Sequence, residues 1–122
     1  MKHKYLLELF KEDDLLFPYN EEDYHDFDDR DTFNMDYTLI AWMYQCLRFF
    51  QDVASKTVNF DFHKFEIDGE ELTQRQCIDR MVKDCTTILN GDCWKEEEIK
   101  KMDIAKDDLF KVLSKVYWAM WW

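Results

Sequence analysis

Five aspartates, Asp23, Asp26, Asp28, Asp29 and Asp31, fall within nine positions and surround His25. Hard carboxylate oxygens crowded on one loop are what Mg²⁺ or Ca²⁺ takes as ligands, and a His beside an acid is half of an acid–base pair. The spacing does not fit the calcium loop, which needs D-x-D-x-D-G and a Glu at its twelfth position. His63, close to Asp61, offers a second pair of the same kind. A lone His next to an Asp is far more often structural than catalytic. The chain holds no Ser-His-Asp order, no Gly-rich phosphate loop, no G-x-S-x-G and no H-E-x-x-H. The expectation is therefore a non-enzymatic protein, with no cofactor and no metal.

The same region mixes carboxylates with rings: Phe17, Tyr19, Tyr24, Phe27 and Phe33 alternate with ten acids between Glu12 and Asp31. Carboxylates spaced along a firm scaffold imitate the phosphates of a nucleic acid and fill a basic groove, while aromatics anchor the contact. Asp23, Tyr24, Asp26, Phe27, Asp28, Asp29 and Asp31 are the expected partner-binding residues on this reading. Trp121 and Trp122 join them from the other end of the chain. Three tryptophans, Trp118, Trp121 and Trp122, stand among the last five residues and cannot all lie on one helical stripe. They are expected to pack partly on the first helix and partly on a second copy, as a homodimer through the C-terminal aromatics, or on a partner.

Cys46, Cys77, Cys85 and Cys93 are 31, 8 and 8 residues apart, with no C-x-x-C pair and no neighbouring His to complete a zinc site. Cys46, Cys77 and Cys85 occupy apolar periodic positions and read as reduced thiols packed as small hydrophobes. Cys93 reads as the accessible thiol of a loop or helix start.

The elements that must position these residues follow from composition and period. The 122 residues include only 2 Gly and 1 Pro, too few for the closely spaced turns of an all-β sandwich or barrel. A hydrophobic fraction of 47% supplies a core and excludes global disorder. No alternation of strands and helices suggests a doubly wound nucleotide fold. The net charge of −11 disfavours direct binding to nucleic acid or to anionic membranes. Residues 1–37 carry 12 acids against 4 bases, and residues 38–122 carry 15 against 12. The apolar run at the N-terminus is broken by Glu8 and Lys11, too short for a signal peptide core, and no stretch reaches membrane-span length. An intracellular protein is expected.

Apolar spacing predicts a short helix over 5–17, stopped at Pro18, then a structured loop over 19–31. Asn34 is the expected cap of a helix over about 35–54, with Leu39, Trp42, Met43, Cys46, Leu47, Phe50 and Val53 on its buried stripe and Ile40, Tyr44 and Phe49 off it. From Val58 the period becomes two, through Phe60, Phe62, Phe65 and Ile67, which predicts a two-stranded ribbon between 58 and 67 closed by an Asp68-Gly69 turn. Thr73 and Gln76 form a capping box for a helix that stops at Asn90-Gly91. Asp92 is the expected cap of the last part, where Glu96–Lys100 and Glu97–Lys101 pair at i, i+4 and Leu109, Val112, Leu113, Val116, Tyr117 and Met120 face inward. The expected fold is a single, mainly α domain over 1–122, of four to five helices with a minor two-stranded β ribbon.

From Asp31-Thr-Phe-Asn-Met-Asp-Tyr-Thr-Leu through Trp42 to Cys46-Leu-Arg-Phe-Phe50, the chain resembles a group of small proteins encoded by tailed bacteriophages. Their pattern is an acidic-aromatic segment, Asp/Glu-Thr-Trp-x-Leu-Asp and an apolar helix, with Leu-Thr before a second helix, which is similar to Leu72-Thr73 here. The resemblance covers residues 24–54 and more loosely 70–89. Phe33 stands where Trp is usual, and Gln45-Cys46 where Pro-Arg is common. What it implies is a phage origin and a setting in the host cytoplasm.

With the acidic segment, this gives the leading expectation: a phage-encoded inhibitor, anti-CRISPR-like and acting by acidic nucleic-acid mimicry, that binds a host defence protein through its basic nucleic-acid-binding groove. A structural or virion-associated phage protein is the rival, and a small-molecule or nucleotide-binding protein the third reading.

Overall fold

The computed structural model describes residues 35–121. Residues from Leu39 onward form one compact unit, and the described part of the preceding unit is Met35–Thr38, the opening turn of the first helix below. The expected helix over 5–17, the 19–31 loop and the Asn34 cap lie outside the described residues. Within them the fold is mainly helical, with three α-helices and one two-stranded antiparallel sheet.

Helix α1, Met35–Val53, buries Ile40, Leu47 and Phe50. This corrects the expected stripe: Leu39, Trp42 and Cys46 are exposed, whereas Ile40, assigned off the stripe, is 5% exposed. The run Leu39-Ile40-Ala41-Trp42-Met43 is apolar on every side, so periodicity alone leaves the core-facing arc undetermined. A 3₁₀ turn at Ala54–Lys56 ends the helix, and the buried Ala54 carbonyl accepts from the N–H groups of both Thr57 and Val58, at 3.0 and 2.8 Å.

The ribbon lies further along the chain than the alternation suggested. Residues 58–63 make turns instead of a strand. Asn59 is the cause: its side-chain Oδ1 accepts from the Asp61 N–H at 3.0 Å and its carbonyl from the Phe62 N–H at 3.3 Å, local bonds that compete with a ladder. Phe60 is thereby turned fully inward, stacked on Phe50 with ring centroids 5.2 Å apart, and the Arg75 guanidinium lies over its ring, 5.8 Å from the centroid. Burying such a ring contributes about 2–3 kcal/mol.

The strands are β1, Lys64–Ile67, and β2, Glu70–Thr73, paired Lys64↔Thr73, Phe65↔Leu72, Glu66↔Glu71 and Ile67↔Glu70. Asp68 and Gly69, at φ 55° and 77°, form the two-residue connection. Positive φ at both positions is the type I′ geometry whose twist matches that of paired strands. Asp68-Gly69 thus joins two strands instead of closing a ribbon that precedes it.

Helix α2, Gln74–Asn90, begins with its free N–H groups paired in sequence. Gln74 N–H donates to the His63 carbonyl, Arg75 N–H to the Phe60 carbonyl and Gln76 N–H to Thr73 Oγ1, while Gln76 Oε1 accepts from the Thr73 N–H. The capping box expected from the sequence is present, and two backbone carbonyls of the preceding turn complete it. Cys77, Ile78, Met81, Cys85 and Ile88 face the core, the two cysteines as expected.

Helix α3, Glu96–Val116, buries Ala105, Leu109, Val112 and Val116, and its packing on α2 is the most extensive between described elements. The two helices meet closely at Gly91, where an added Cβ would lie 2.3 Å from Met102 Sδ. Three glutamates in the first turn and Lys115 in the last suit the helix macrodipole. Asp92 does not cap α3: its carboxylate accepts from the Trp94 N–H inside the connecting turn. Lys100 pairs with Glu96 as expected, but Lys101 pairs with Glu98 in place of Glu97.

Candidate functional site

An apolar groove of about 670 Å³ lies between α1 and the end of α3. One wall is α1, through Leu39, Trp42, Met43 and Cys46, with the buried Leu47 and Phe50 behind them. The other is the end of α3 and the 3₁₀ turn Tyr117–Ala119 that follows it, through Phe110, Leu113, Tyr117, Trp118, Met120 and Trp121. No charged residue is among these twelve.

Local bonding fixes the second wall. The Met120 N–H donates to the Tyr117 carbonyl and the Trp121 N–H to the Ala119 carbonyl, which turns the chain immediately after α3. Gln74, the only polar residue buried in the core among the described residues, donates from Nε2 to the Ala119 carbonyl at 3.0 Å. Tyr117 and Trp118 meet edge to face at 4.9 Å.

Trp118 is 86% exposed, Trp121 73% and Trp42 52%. Rings of that size left in water are a large unclaimed hydrophobic term, and Trp and Tyr are the side chains most enriched where partners bind. Cys46 is exposed by area, yet the apolar wall around its sulfur strips water from it and pushes the thiol upward in pKa. It lines the groove as a hydrophobe and is not the buried core residue expected. Cys77 and Cys85 are buried free thiols, Cys85 pushed up to about 11 by burial and by the neighbouring Asp84, and Cys93 is exposed.

Of the expected partner-binding residues, Trp121 lies in the groove wall. Asp23, Tyr24, Asp26, Phe27, Asp28, Asp29, Asp31 and Trp122, with His25, lie outside the described residues. His63 packs edge-on to Phe62, and Asp61 accepts from Arg75 Nε at 3.1 Å, so the carboxylate near His63 is held by an arginine. Among the described residues no cluster of three His, Cys, Asp or Glu suits a metal ion, and no helix is long and apolar enough to cross a membrane.

Leu39, Trp42 and Cys46 are the residues that sequence reasoning misplaced, having put them in the core. The signal that could have found them is the surplus of apolar positions on α1, more than one core-facing arc can use.

Compared with protein-family models, with curated proteins and with solved structures, the chain matches none.

Proposed function

We propose that this chain is a phage-encoded, non-enzymatic inhibitor that binds a basic, nucleic-acid-handling host defence protein in the host cytoplasm. The observation that carries the reading is the aromatic groove: a concavity with no charged residue in its described lining and with the exposed rings of Trp42, Trp118 and Trp121 on its walls suits the apolar anchors of a protein partner. The chain's net charge of −11 selects the partner's sign. A protein that holds nucleic acid presents a basic surface and is attracted to a chain of this charge. The acidic-aromatic segment from Glu12 to Asp31 supplies the nucleic-acid-like carboxylates, and the resemblance of residues 24–54 to small phage proteins supplies the setting. On this reading a helix over 5–17 completes a four-helix domain.

The test is interference by a programmed CRISPR effector. Expression of the protein should restore plaquing by a targeted phage, and the triple variant Asp26→Lys, Asp28→Lys, Asp29→Lys and the double variant Trp42→Ala, Trp118→Ala should each lose that effect. Interference at full strength in the presence of the wild-type protein rejects this target. The virion-associated reading rests on the same exposed rings, and stoichiometric protein in purified phage particles would favour it.

A further inference from the structure

Arg80 of α2 forks onto Asp108 of α3: Nε donates to Oδ2 at 2.9 Å, and Nη2 donates to Oδ1. The same Nη2 reaches Asp68 Oδ2 in the hairpin turn at 3.3 Å. Lys111 Nζ donates to both Asp68 oxygens, at 2.8 and 3.0 Å, and stands 3.7 Å from Asp108 Oδ1. Asp84 follows Arg80 by four residues, on the same face of α2, and its carboxyl and that of Asp108 act on each other's ionisation. Two carboxylates have no proton to donate to each other. Asp84 Oδ2 is sealed from water and has no hydrogen-bond partner. A buried carboxylate oxygen left this way is costly; a neutral carboxyl is not.

We infer that Asp84 and Asp108 share one proton, and that this proton makes the clasp joining α2, α3 and the hairpin turn responsive to pH. With the proton in place, Asp84 donates to Asp108, Arg80 neutralises Asp108, and Asp68 is held by Arg80 and Lys111. Without it, a second negative charge sits beside Asp108, and Arg80 must serve three carboxylates instead of two. The charges facing Asp84 set where this happens. Burial comes first and the bond to Asp108 second, both raising the Asp84 pKa, to about 8, while Arg80 and Lys83 oppose the rise. Asp108 is held well below the usual carboxylate range, first by Arg80. The adjacent Cys85 thiol stays protonated over this range.

The sign follows from linkage. An unfolded aspartate ionises near ~3.9, so between about pH 4 and 8 the folded chain holds a proton that the unfolded chain has lost. Stability contributed by this pair therefore falls as pH rises across that window and levels off above it.

The test uses the full chain. The ¹³C-carboxyl resonance of Asp84 should titrate at least about two pH units above the ordinary aspartate value. The wild-type melting temperature should fall between about pH 6 and 9, and Asp84→Asn, whose amide donates to Asp108 at every pH, should hold its melting temperature across that range. Asp108→Asn removes the carboxylate partner and should move the Asp84 midpoint down. Titration of Asp84 near the ordinary value, or parallel melting curves for wild type and Asp84→Asn from pH 6 to 9, would overturn the inference. Because the titration is measured on the wild-type protein, it decides the matter whether or not Asp108→Asn folds.

Discussion

The side chain of Gln74, at the first position of α2, is hydrogen-bonded to the backbone carbonyl of Ala119, 45 residues away, at 3.0 Å. Gln74 is 1% exposed, so this bond is made where water cannot replace it. It ties the turn that carries Trp118 and Trp121 to the start of a different helix, and so sets where the second wall of the groove stands.

Replacing Gln74 by Leu removes the donor and leaves the Ala119 carbonyl without it, a change expected to cost about 1–3 kcal/mol. The check is urea unfolding followed by Trp fluorescence. Since the loss also frees the turn, the native-state emission of Trp118 and Trp121 should change before unfolding begins. An unchanged midpoint and unchanged emission would mean that the turn is held by its apolar contacts alone.

Trp118→Ala removes a ring that the rest of the chain barely covers. Its effect on stability should stay within about 0.5 kcal/mol, the range for exposed substitutions away from special features. Its effect on partner binding should be large, on the order of 2 kcal/mol or more, if the groove is the contact. Calorimetry on the variant, alone and with the proposed target effector, separates the two quantities.

Glu66 and Glu71 are directly opposed across the hairpin. Like charges facing each other on one side of a strand pair weaken it, and opposite charges strengthen it. Glu66→Lys should therefore stabilise the hairpin by about 0.2–1 kcal/mol, and less in high salt. A melting temperature that rises at low salt and converges with wild type at high salt would bear this out; a fall at low salt would refute it.

Arg80→Gln tests the acid side of the clasp. Asp108, whose side chain is 18% exposed, keeps its charge because Arg80 is bonded to it. A depressed folded pKa contributes stability that is fully present above the unfolded value of ~3.9 and is lost as pH falls toward the folded one. The variant should lose about 2 kcal/mol at neutral pH, because a largely buried carboxylate is left without its arginine. It should also lose less than wild type between about pH 4 and 2. Acid unfolding curves measured side by side provide the readout.

Local chemistry alone determined several elements. The capping box at Thr73 and Gln76, the stop at Asn90-Gly91 and the core face of α2 depend on residues within a turn or two of one another, so the sequence carries them complete. The Asp68-Gly69 turn was equally legible, but its dipeptide marks the middle of a hairpin, and the strand after it, Glu-Glu-Leu-Thr, has too few apolar residues to announce itself. Tertiary structure decided the rest. Which arc of the all-round apolar α1 faces the core depends on where Phe60 and α3 stand, and that choice turned Trp42 and Cys46 from expected core into groove wall. The same holds for Gln74 reaching Ala119 and for Asp84 meeting Asp108. Each is a polar pair far apart in sequence, and periodicity says only that such residues lie on a helix, never which partner the packed interior leaves within reach.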